Sequence, residues 1–342
     1  MPALTLADRL ILFAANLFVW LRHPWLSLSF WYRRRRAPLL ATPRGVSELV
    51  QWRKIFDRNP MFPVLADKLK VKEWARQQLS ELRAAEVLWT GTRAAGLPDE
   101  FLRPDVVIKT NHGTSTNYFP ARRSLPRAEL DALLDGWLRR RFDTELQWAY
   151  GLIPPTLMVE RLVGEGEPFT EMTFRCSGGS VATAFVATEQ KTPRERNAYF
   201  TGDGRRLPPK RGSKPERRLP EDYALPESFW RARTVAERLS RDFDFVRVDL
   251  MVHQGQIYIC EMTFYPGSGF SDERETHTAP FIERGWIRNL EKAWFLSTPQ
   301  SWPARLYAAA LKRWRLVRLA ELERASRTPG VGATISEAAP QG

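Results

Sequence analysis

Two short apolar segments late in the sequence each carry one carboxylate. The segment 245–252 reads FVRVDLMV and contains Asp249, and the segment 257–264 reads IYICEMTF and contains Glu261. Side chains alternate between the two faces of a strand, so a hairpin that pairs 249 with 261 places both acids on one face. Two carboxylates at short range disfavour each other's ionised form unless a cation lies near them. A divalent metal ion or Arg247 supplies that cation.

Strict alternation puts Ile257, Ile259, Glu261 and Thr263 on one face of the second strand. Magnesium prefers a few carboxylates together with phosphate oxygens, so the acid pair indicates a metal–nucleotide site. The residue types alone leave a second interpretation open, in which an arginine and two acids form a salt-bridged, solvated sheet face.

A lysine ends another apolar segment. The segment VVIK ends in Lys109 and runs into the polar loop 110–116, an arrangement that suits phosphate binding, although a lysine beside an ordinary turn also fits. The GxxxxGK[ST] pattern of a P-loop is absent. Lys68 and Lys72 have the spacing of a solvated helix face, and Glu160, which ends the segment LMVE, means little by itself.

The order of these segments is more specific than any one of them. The sequence gives DKLKVK, VIKTNHG, LMVERLV, FTEMTF, VRVDLMV and CEMTFYPGSG in succession. In these motifs and their spacing the chain resembles the TupA-like ATP-grasp proteins of polysaccharide and teichuronopeptide biosynthesis, which are related to D-alanine–D-alanine ligases. The resemblance covers roughly residues 50–290. It implies an α+β fold in which two α+β subdomains grip ATP, with a helical N-terminal arm and a basic C-terminal helix outside them.

The resemblance also implies which residues bind the nucleotide. Lys68 and Lys109 would hold the phosphates of ATP, together with His112 and Gly113 of the polar loop. Glu160 would lie near adenine or ribose, on the strand that joins the two subdomains. The family's loop reads NHGSGG and this chain has NHGTST, so we expect a stiffer loop that holds phosphate differently.

The remaining implied roles concern the metal and the reaction. Asp249, Glu261 and Thr263 would bind Mg²⁺, where Thr263 is a weaker ligand than an amide oxygen. Arg247 would face the negatively charged acyl intermediate. The acceptor side would be formed by the loop residues Gly267, Ser268 and Gly269.

Composition limits the partners. Lys and Arg number 52 against 39 Asp and Glu, a formal net charge of +13. Such a charge attracts polyanions such as acidic lipid or nucleotides, although basic clusters near both ends carry part of it. No nucleic-acid recognition motif accompanies the charge, so nucleic acid is not an expected partner. Only two cysteines occur, which fits a reducing compartment, and the sequence leaves the oligomeric state open.

The N-terminal arm has its own pattern. The apolar run 10–21 is a dozen residues long, short of the roughly 20 that a spanning helix needs. Aromatic residues and the sequence WYRRRR follow it. We expect either a segment that lies in the interface of an acidic membrane or a helix packed on the domain itself. The first alternative predicts a cytoplasmic protein held peripherally on the inner face of the membrane.

Other segments are assigned by composition. The charged, Pro- and Gly-rich segment 194–222 is expected to be a loop or flap. The loop 270–285, with Glu273, Glu275 and His277, is expected to shape the substrate pocket, and the chain after about 328 to be disordered. The predicted divisions are an arm, a helical part, the lid subdomain, the catalytic subdomain and the C-terminal helix with its tail: 1–45, 46–100, 101–165, 166–295 and 296–342.

The expected function is an ATP- and Mg²⁺-dependent ligase that joins a small-molecule or glycan-linked carboxylate to an amine through an acyl phosphate. Two other classes stay open. Asp242 and Asp244 in RDFDF form the DxD-like pair of a glycosyltransferase. The basic charge and the altered loop also fit a non-catalytic, membrane-attached module that binds a glycan or a nucleotide.

Overall fold

The computed structural model describes residues 3–167, 169–189, 192–210, 212–270 and 277–327. Glu273, Glu275 and the predicted disordered tail lie outside these ranges. The helices are α1 Leu6–Arg22, α2 Pro24–Arg34, α3 Val46–Phe56, α4 Met61–Ala66, α5 Lys70–Gln78, α6 Arg127–Arg139, α7 Glu227–Leu239, α8 Ala279–Asn289, α9 Trp294–Ser297 and α10 Ala304–Arg327.

The strands form two sheets, and all pairings but one are antiparallel. The larger, seven-stranded sheet has the order β1-β11-β10-β6-β7-β8-β9, and the smaller, four-stranded sheet has the order β2-β5-β3-β4. The strands are β1 Arg83–Ala84, β2 Val87–Gly91, β3 Val106–Thr110, β4 Asn117–Tyr118, β5 Leu157–Arg161, β6 Thr170–Ser177, β7 Ser180–Thr188, β8 Arg196–Thr201, β9 Arg206–Leu207, β10 Val246–His253 and β11 Gln256–Thr263. The predicted α+β class is confirmed.

Each sheet has its own hydrophobic core. Helix α6 and the smaller sheet enclose a compact cluster that includes Ile108, Leu130 and Val159. The larger sheet packs against α7 and α8 over a much larger core. The chain passes from β5 of the smaller sheet directly to β6 of the larger one, so residues 162–169 connect the two layers. The smaller sheet already includes β2, which precedes the predicted start of the lid at residue 101; the domain boundaries themselves stay a prediction.

The hairpin β10–β11 carries the acid pair at its far end. Its two-residue turn, Gln254 and Gly255, has positive φ at both positions, as tight hairpin turns require. Near the turn Leu250 pairs with Ile259, whereas Asp249 pairs with Glu261, so Cys260 is an extra, bulged residue.

This bulge corrects one expectation. Ile257 and Ile259 are buried in the core, 8% and 1% exposed. Glu261 and Thr263 lie on the other face, beside Arg247 and Asp249. The four residues therefore do not share one face, because the extra residue reverses the alternation between Ile259 and Glu261.

The segment 194–222 is more regular than expected. Strand β8 pairs with β7 from Arg196 to Thr201, and β9 extends the sheet. Within β8 the alternate residues Ala198 and Phe200 are buried, and this short apolar alternation provides the strand. Apart from a short 3-10 helix at Pro215–Arg217, the remainder of the described excursion, which includes residues 202–205 and 208–210, is largely turn or irregular structure.

The N-terminal arm consists of α1 and α2 and packs on the chain by one side. Leu12, Val19 and Phe30 are buried in the main core. Asp8 accepts a hydrogen bond from Arg313 of α10 at 2.9 Å and also forms the capping box of α1 with Thr5. On this inner side the arm agrees with the expectation of a helix packed on the domain itself. None of the helices in the described ranges combines the length and apolar character that crossing a bilayer demands.

Candidate active site

The acids Asp249 and Glu261 lie side by side on the open face of the larger sheet. Asp249 and Glu261 are cross-strand partners, and Arg247 joins them. The Nε of Arg247 donates to Asp249 Oδ1 at 2.9 Å, and its Nη2 donates to Glu261 Oε1 at 2.7 Å. The hydroxyl of Thr263 donates to the same Glu261 oxygen at 3.3 Å. The pairing on which the acid-site prediction depends is confirmed.

Burial and neighbouring charges separate the two carboxyl groups electrostatically. Burial raises the pKa of Asp249 to about 6, and the adjacent Glu261 adds to the effect although Arg247 opposes it. Burial acts in the same direction on Glu261, but Lys68 and Arg247 outweigh it and hold its pKa near 2. The two adjacent carboxyl groups therefore depend on the cations around them, Arg247 and Lys68, to remain ionised together.

Lys68 connects the acid pair to the polar loop. Its Nζ lies 3.6 Å from Glu261 Oε2 and donates to the carbonyl of Gly113 at 2.6 Å. Burial lowers its pKa, against the effect of Glu261. Lys68 precedes α5 and is not on a helix face with Lys72, which corrects that interpretation of the spacing.

The loop 110–116 is tightly fixed. Gly113 has φ +71°, and a Cβ there would lie 2.3 Å from the ring of Phe142, so glycine is required. His112 is 2% exposed and its Nε2 is 3.2 Å from the carbonyl of Arg140. Ser115, which stands where the family pattern has glycine, adopts φ 60°. The loop thus keeps a glycine-like conformation there, with a cost on the order of 1–2 kcal/mol for a residue that carries a Cβ.

A second cluster joins Lys109 to Glu160. Glu160 is 3% exposed, 2.6 Å from Lys109 Nζ and 2.7 Å from Lys72 Nζ. Although burial opposes both effects, Lys109 and Lys72 lower the pKa of Glu160, and Glu160 raises that of Lys109. No role for Lys72 was predicted from the sequence, because no pattern near residue 72 indicates that the side chain is buried beside a carboxylate. The role of Glu160 at adenine or ribose stays a prediction, because its carboxylate here is engaged by two ammonium groups.

The loop Gly267–Ser268–Gly269, which we call the acceptor loop, has positive φ at all three residues. The Ser268 amide donates to the Tyr265 carbonyl at 2.9 Å, so it is used within the turn. The Ser268 carbonyl accepts from Gln51 at 3.0 Å and from Lys54 at 2.8 Å. An oxyanion role for the loop amides stays a prediction.

Three partners of the acceptor loop were missed in the sequence: Gln51, Lys54 and Glu145. The Ser268 hydroxyl donates to Glu145 at 2.6 Å and accepts from Lys54 at 2.9 Å. Burial lowers the pKa of Lys54 to about 7, and Arg33 adds to this while Glu145 opposes it. These contacts join residues more than 100 positions apart, so the spacing of residues in the sequence does not predict them.

Tyr150 also borders the acid pair and was missed. Burial and the nearby Glu261 raise the pKa of its phenol, against the effect of Arg247. Its ring contacts that of Tyr265, with centroids 6.0 Å apart. Tyr150 therefore forms part of the wall between the acids and the acceptor loop.

Comparison with known proteins identifies the family. The family model described as TupA-like ATPgrasp matches residues 48–281. The chain belongs to this family. The match spans every residue of the candidate site, from Gln51 to the acceptor loop, and agrees with the extent of the motifs. The ATP-grasp fold that the family shares is that of ATP-dependent ligases.

Solved structures give more distant likenesses. The D-alanine–D-alanine ligase from Bacillus anthracis is 15% identical, with a TM-score of 0.39, over 82% of this chain and 77% of that one. The L-amino acid ligase from Bacillus licheniformis is 15% identical, with a TM-score of 0.41, over 75% and 56%.

The ATP-grasp ligase PsnB, complexed with a minimal precursor, is 9% identical, with a TM-score of 0.32, over 60% of this chain. That alignment spans about half, 54%, of PsnB. A sequence search of curated proteins gives no match.

The donor set of this TupA-like chain fits Mg²⁺. Asp249 and Glu261 supply carboxylate oxygens and Thr263 a hydroxyl, all on one side of the hairpin. Across the described ranges, no three His, Cys, Asp or Glu side chains are grouped as metal ligands. Two carboxylates completed by phosphate oxygens is the arrangement that Mg²⁺ favours at nucleotide sites.

A cavity of about 710 Å³ lies where the two sheets meet. It is lined by β1, by the connection 161–164 and by Tyr258 of β11. Tyr258 precedes Glu261 by three residues on the same strand, a separation of roughly 10 Å. The predicted site residues do not line this cavity, so it is a neighbouring space at the hinge between the sheets.

The DxD-like pair is divided between surface and core. Asp242 is exposed, whereas Asp244 is 1% exposed. Asp244 accepts from Arg53 at 2.5 Å and from the indole of Trp286 at 2.6 Å. The two carboxylates therefore do not form one metal-binding pair as a glycosyltransferase requires.

Proposed function

We propose that this TupA-like protein is an ATP- and Mg²⁺-dependent carboxylate–amine ligase. In the first step an oxygen of the substrate carboxylate attacks the γ-phosphorus of ATP, which gives an acyl phosphate and ADP. In the second step an amine attacks the acyl carbon, the phosphate leaves, and the amine proton passes to solvent. The family membership and the charged arrangement of the site support this order of events.

The chain's own residues would act by position and charge. Lys68 and Lys109 bind phosphate oxygens and neutralise charge on the transferred group. Asp249, Glu261 and Thr263 hold Mg²⁺, which when bound polarises the phosphoryl oxygens. Arg247 lies between the two acids and would stabilise negative charge on the acyl oxygen.

We place the nucleoside of ATP in the cavity at the hinge. Its volume suits a purine nucleoside, and Tyr258 offers an aromatic wall. The cavity adjoins Arg161, directly after Glu160, which pairs with Lys109, while Lys68 pairs with Glu261. In this placement the phosphates would extend toward the acid pair.

The substrates and location follow from the family and the charge. We propose small-molecule or glycan-linked substrates of cell-surface polysaccharide biosynthesis, joined on the cytoplasmic side where ATP is available. The net charge of +13 favours anionic substrates.

The observation that carries the proposal is the ion pair of Lys68 with Glu261, 3.6 Å apart, directly beside the Asp249–Glu261 pair. The lysine that we propose for phosphate and the two carboxylates that we propose for the metal ion thus lie together, although they come from three separate segments of the chain.

The deciding experiment is MgATP binding and turnover in Asp249→Asn and Glu261→Gln. MgATP at 100 times its Kd should stabilise the wild type by about 2.7 kcal/mol in a thermal-shift assay. Both variants should lose this shift and reduce ATP turnover by at least about 100-fold, because the phosphate charge loses its metal ion. The matched controls are Asp242→Asn and Glu237→Gln, the same chemical changes at acids outside the site.

The proposal is wrong if both site variants turn over MgATP as the wild type does. It is also wrong if the purified wild type shows no stabilisation by MgATP. If instead MgATP stabilises the wild type and the site variants fail, release of phosphate from ATP across a panel of amino acids, uronic acids and sugar-linked amines identifies the acceptor.

A further inference from the structure

The N-terminal arm exposes a continuous apolar surface on the side that does not pack on the chain. Phe13, Leu21 and Trp25 are 69%, 74% and 82% exposed. In α1 the exposed apolar residues recur every three or four positions, so they form one stripe. We call this surface the arm face and define it by Leu6, Leu10, Phe13, Leu17, Phe18, Leu21, Trp25, Leu28, Trp31 and Tyr32, each at least 42% exposed.

The arm face is held in place by the opposite side of the same helices. Leu12 and Val19 of α1 and Phe30 of α2 are buried. Asn16 accepts from the amide of Ala41 at 3.0 Å and donates to the Thr42 hydroxyl at 3.1 Å. Helices anchored on one side keep their apolar stripe directed outward, so a large apolar area faces solvent as a fixed surface.

The charge around the arm face identifies its occupant. Between residues 3 and 36 the sequence has six arginines and a single acid, Asp8. Asp8 is 1% exposed and bonded to Arg313, so it offers no negative charge to a partner. Arg9, Arg22 and Arg35 are exposed beside the apolar residues. An apolar stripe with Trp and Tyr and a rim of arginines matches the interface of an anionic bilayer.

A second copy of the chain fits the same surface less well. A two-fold contact places each patch against itself, so the arginines of both copies would meet with no exposed acid from this segment between them. Like charges at short range oppose such a contact. An acidic lipid surface is complementary to both parts of the arm face, because its acyl chains accept the apolar side chains and its headgroups pair with the arginines.

The arm face ends beside the acceptor loop. Arg33 donates to Glu145 at 3.0 Å, and Glu145 in turn accepts from the hydroxyl of Ser268. The guanidinium of Arg33 also lies 4.2 Å above the ring of Phe270, the residue that follows the loop. Trp31 and Tyr32 of the arm face immediately precede Arg33 in the chain, so the surface and the loop share one junction.

We propose that the arm face docks on the surface of an anionic bilayer and thereby brings the acceptor loop to the lipid headgroups. The substrate on the acceptor side is then an amphiphile held in the membrane. This identification of the substrate class rests on the proposed ligase function, whereas the docking itself does not.

Docking is tested by co-sedimentation of the full chain with vesicles. The wild type should sediment with phosphatidylcholine vesicles that contain phosphatidylglycerol and much less with phosphatidylcholine alone. The double variant Phe13→Asp/Leu17→Asp should reduce the partition coefficient by at least about tenfold, because it places two charges in the apolar stripe. Leu152→Asp, a change at a 63% exposed leucine outside the arm, should bind as the wild type does.

The orientation is tested with a small fluorophore at each end of the β10–β11 hairpin, in a Cys260→Ser background. A label at Ser268→Cys should be quenched by lipids with nitroxide headgroups. A label at Gln256→Cys, at the opposite end of the hairpin, should be quenched far less. Equal quenching, or stronger quenching at 256, overturns the orientation and with it the membrane-held substrate.

Other outcomes are equally decisive. Docking is overturned if the wild type stays in the supernatant with anionic vesicles or if the double variant binds them undiminished. A wild-type dimer that Phe13→Asp/Leu17→Asp converts to a monomer, without vesicle binding, assigns the arm face to a second copy instead. MgATP stabilisation, measured without vesicles, should be equal in the wild type and the double variant. If MgATP does not stabilise the wild type, that result counts against the ligase proposal and not against docking.

Discussion

Two ion pairs lie in or next to the β10–β11 hairpin, and they differ in their access to solvent. One joins Arg53 to Asp244, and the other joins Arg247 to Glu261. Arg53 and Asp244 have side chains that are 0% and 2% exposed, and the guanidinium lies 4.4 Å from the ring of Trp286. Arg247 and Glu261 have side chains that are 25% and 32% exposed. The sealed pair is enclosed by aromatic rings, whereas the open pair is reachable by a ligand.

The difference shows that residue type does not assign a role here. Asp244 lies in the bend before β10 and accepts a hydrogen bond from Trp286 of α8, whereas Arg247 lies within β10 and contacts both members of the acid pair. The buried pair of Arg53 and Asp244, next to α8, stabilises the fold. The partly exposed pair of Arg247 and Glu261 remains accessible to a ligand. Exposure and partners distinguish structural from functional charges.

The largest effect should come from removing the two arginines in turn. Arg53→Met leaves Asp244 buried without its counter-ion, and we expect a loss of about 3–5 kcal/mol in the free energy of unfolding. Arg247→Met should cost less than Arg53→Met, because Glu261 is 32% exposed and keeps Lys68 as a partner, yet it should abolish ligase turnover. Urea denaturation of both variants measures this, and equal losses of stability would erase the distinction between the ion pairs.

A smaller effect tests whether water is excluded from Lys54 beside the acceptor loop, as it is from the pair of Arg53 and Asp244. The pKa of Lys54 is lowered from 10.5 to about 7 by burial, so the folded chain binds fewer protons than the unfolded chain between these values. The contribution of Lys54 to stability therefore rises with pH through that window, by about 2–3 kcal/mol from pH 7.5 to 9.5. Lys54→Met should lack this rise.

The measurement is the difference in unfolding free energy between Lys54→Met and the wild type at the two pH values. Below pH 7 the penalty for a charged, buried Lys54 is fully present, so the variant should be relatively most stable there. The exposed Lys312→Met is the control and should show a constant difference. A constant difference for Lys54→Met would mean that water hydrates this amine.

The smallest effect should come from Asp242→Asn. The side chain is exposed, so its replacement should change the free energy of unfolding by no more than about 0.5 kcal/mol and leave ATP turnover as it is. Loss of activity in Asp242→Asn, with consumption of a nucleotide sugar and no need for ATP, would restore the glycosyltransferase hypothesis.

Much of the nucleotide side of the site was predictable from sequence. Asp249 and Glu261 were found because strand alternation and a short turn restrict which residues can pair, and the pairing is confirmed. The family was found because six motifs occur in order, and its model matches residues 48–281. Local rules serve well where partners lie within one hairpin or one loop.

The rest depended on contacts between distant parts of the chain. Lys54 meets Ser268 across 214 residues, and Arg33 meets Glu145 across 112. Lys72 has a carboxylate partner only because the fold brings its amine within 2.7 Å of Glu160 on β5. No periodicity in the sequence encodes such meetings, so these residues were missed.

The extra residue at Cys260 has a consequence for the length of the hairpin. Five residues separate the turn at Gly255 from Glu261, and this odd count, with the bulge, directs the acid into the cleft. Deleting Cys260 together with the bulge would make Ile259 and Glu261 consecutive in a regular strand, so the isoleucines would stay in the core and Glu261 would stay on the open face. The direction of Glu261 therefore depends on the chain length and the bulge together: a strand of unchanged length that lost the bulge would turn Glu261 into the apolar core.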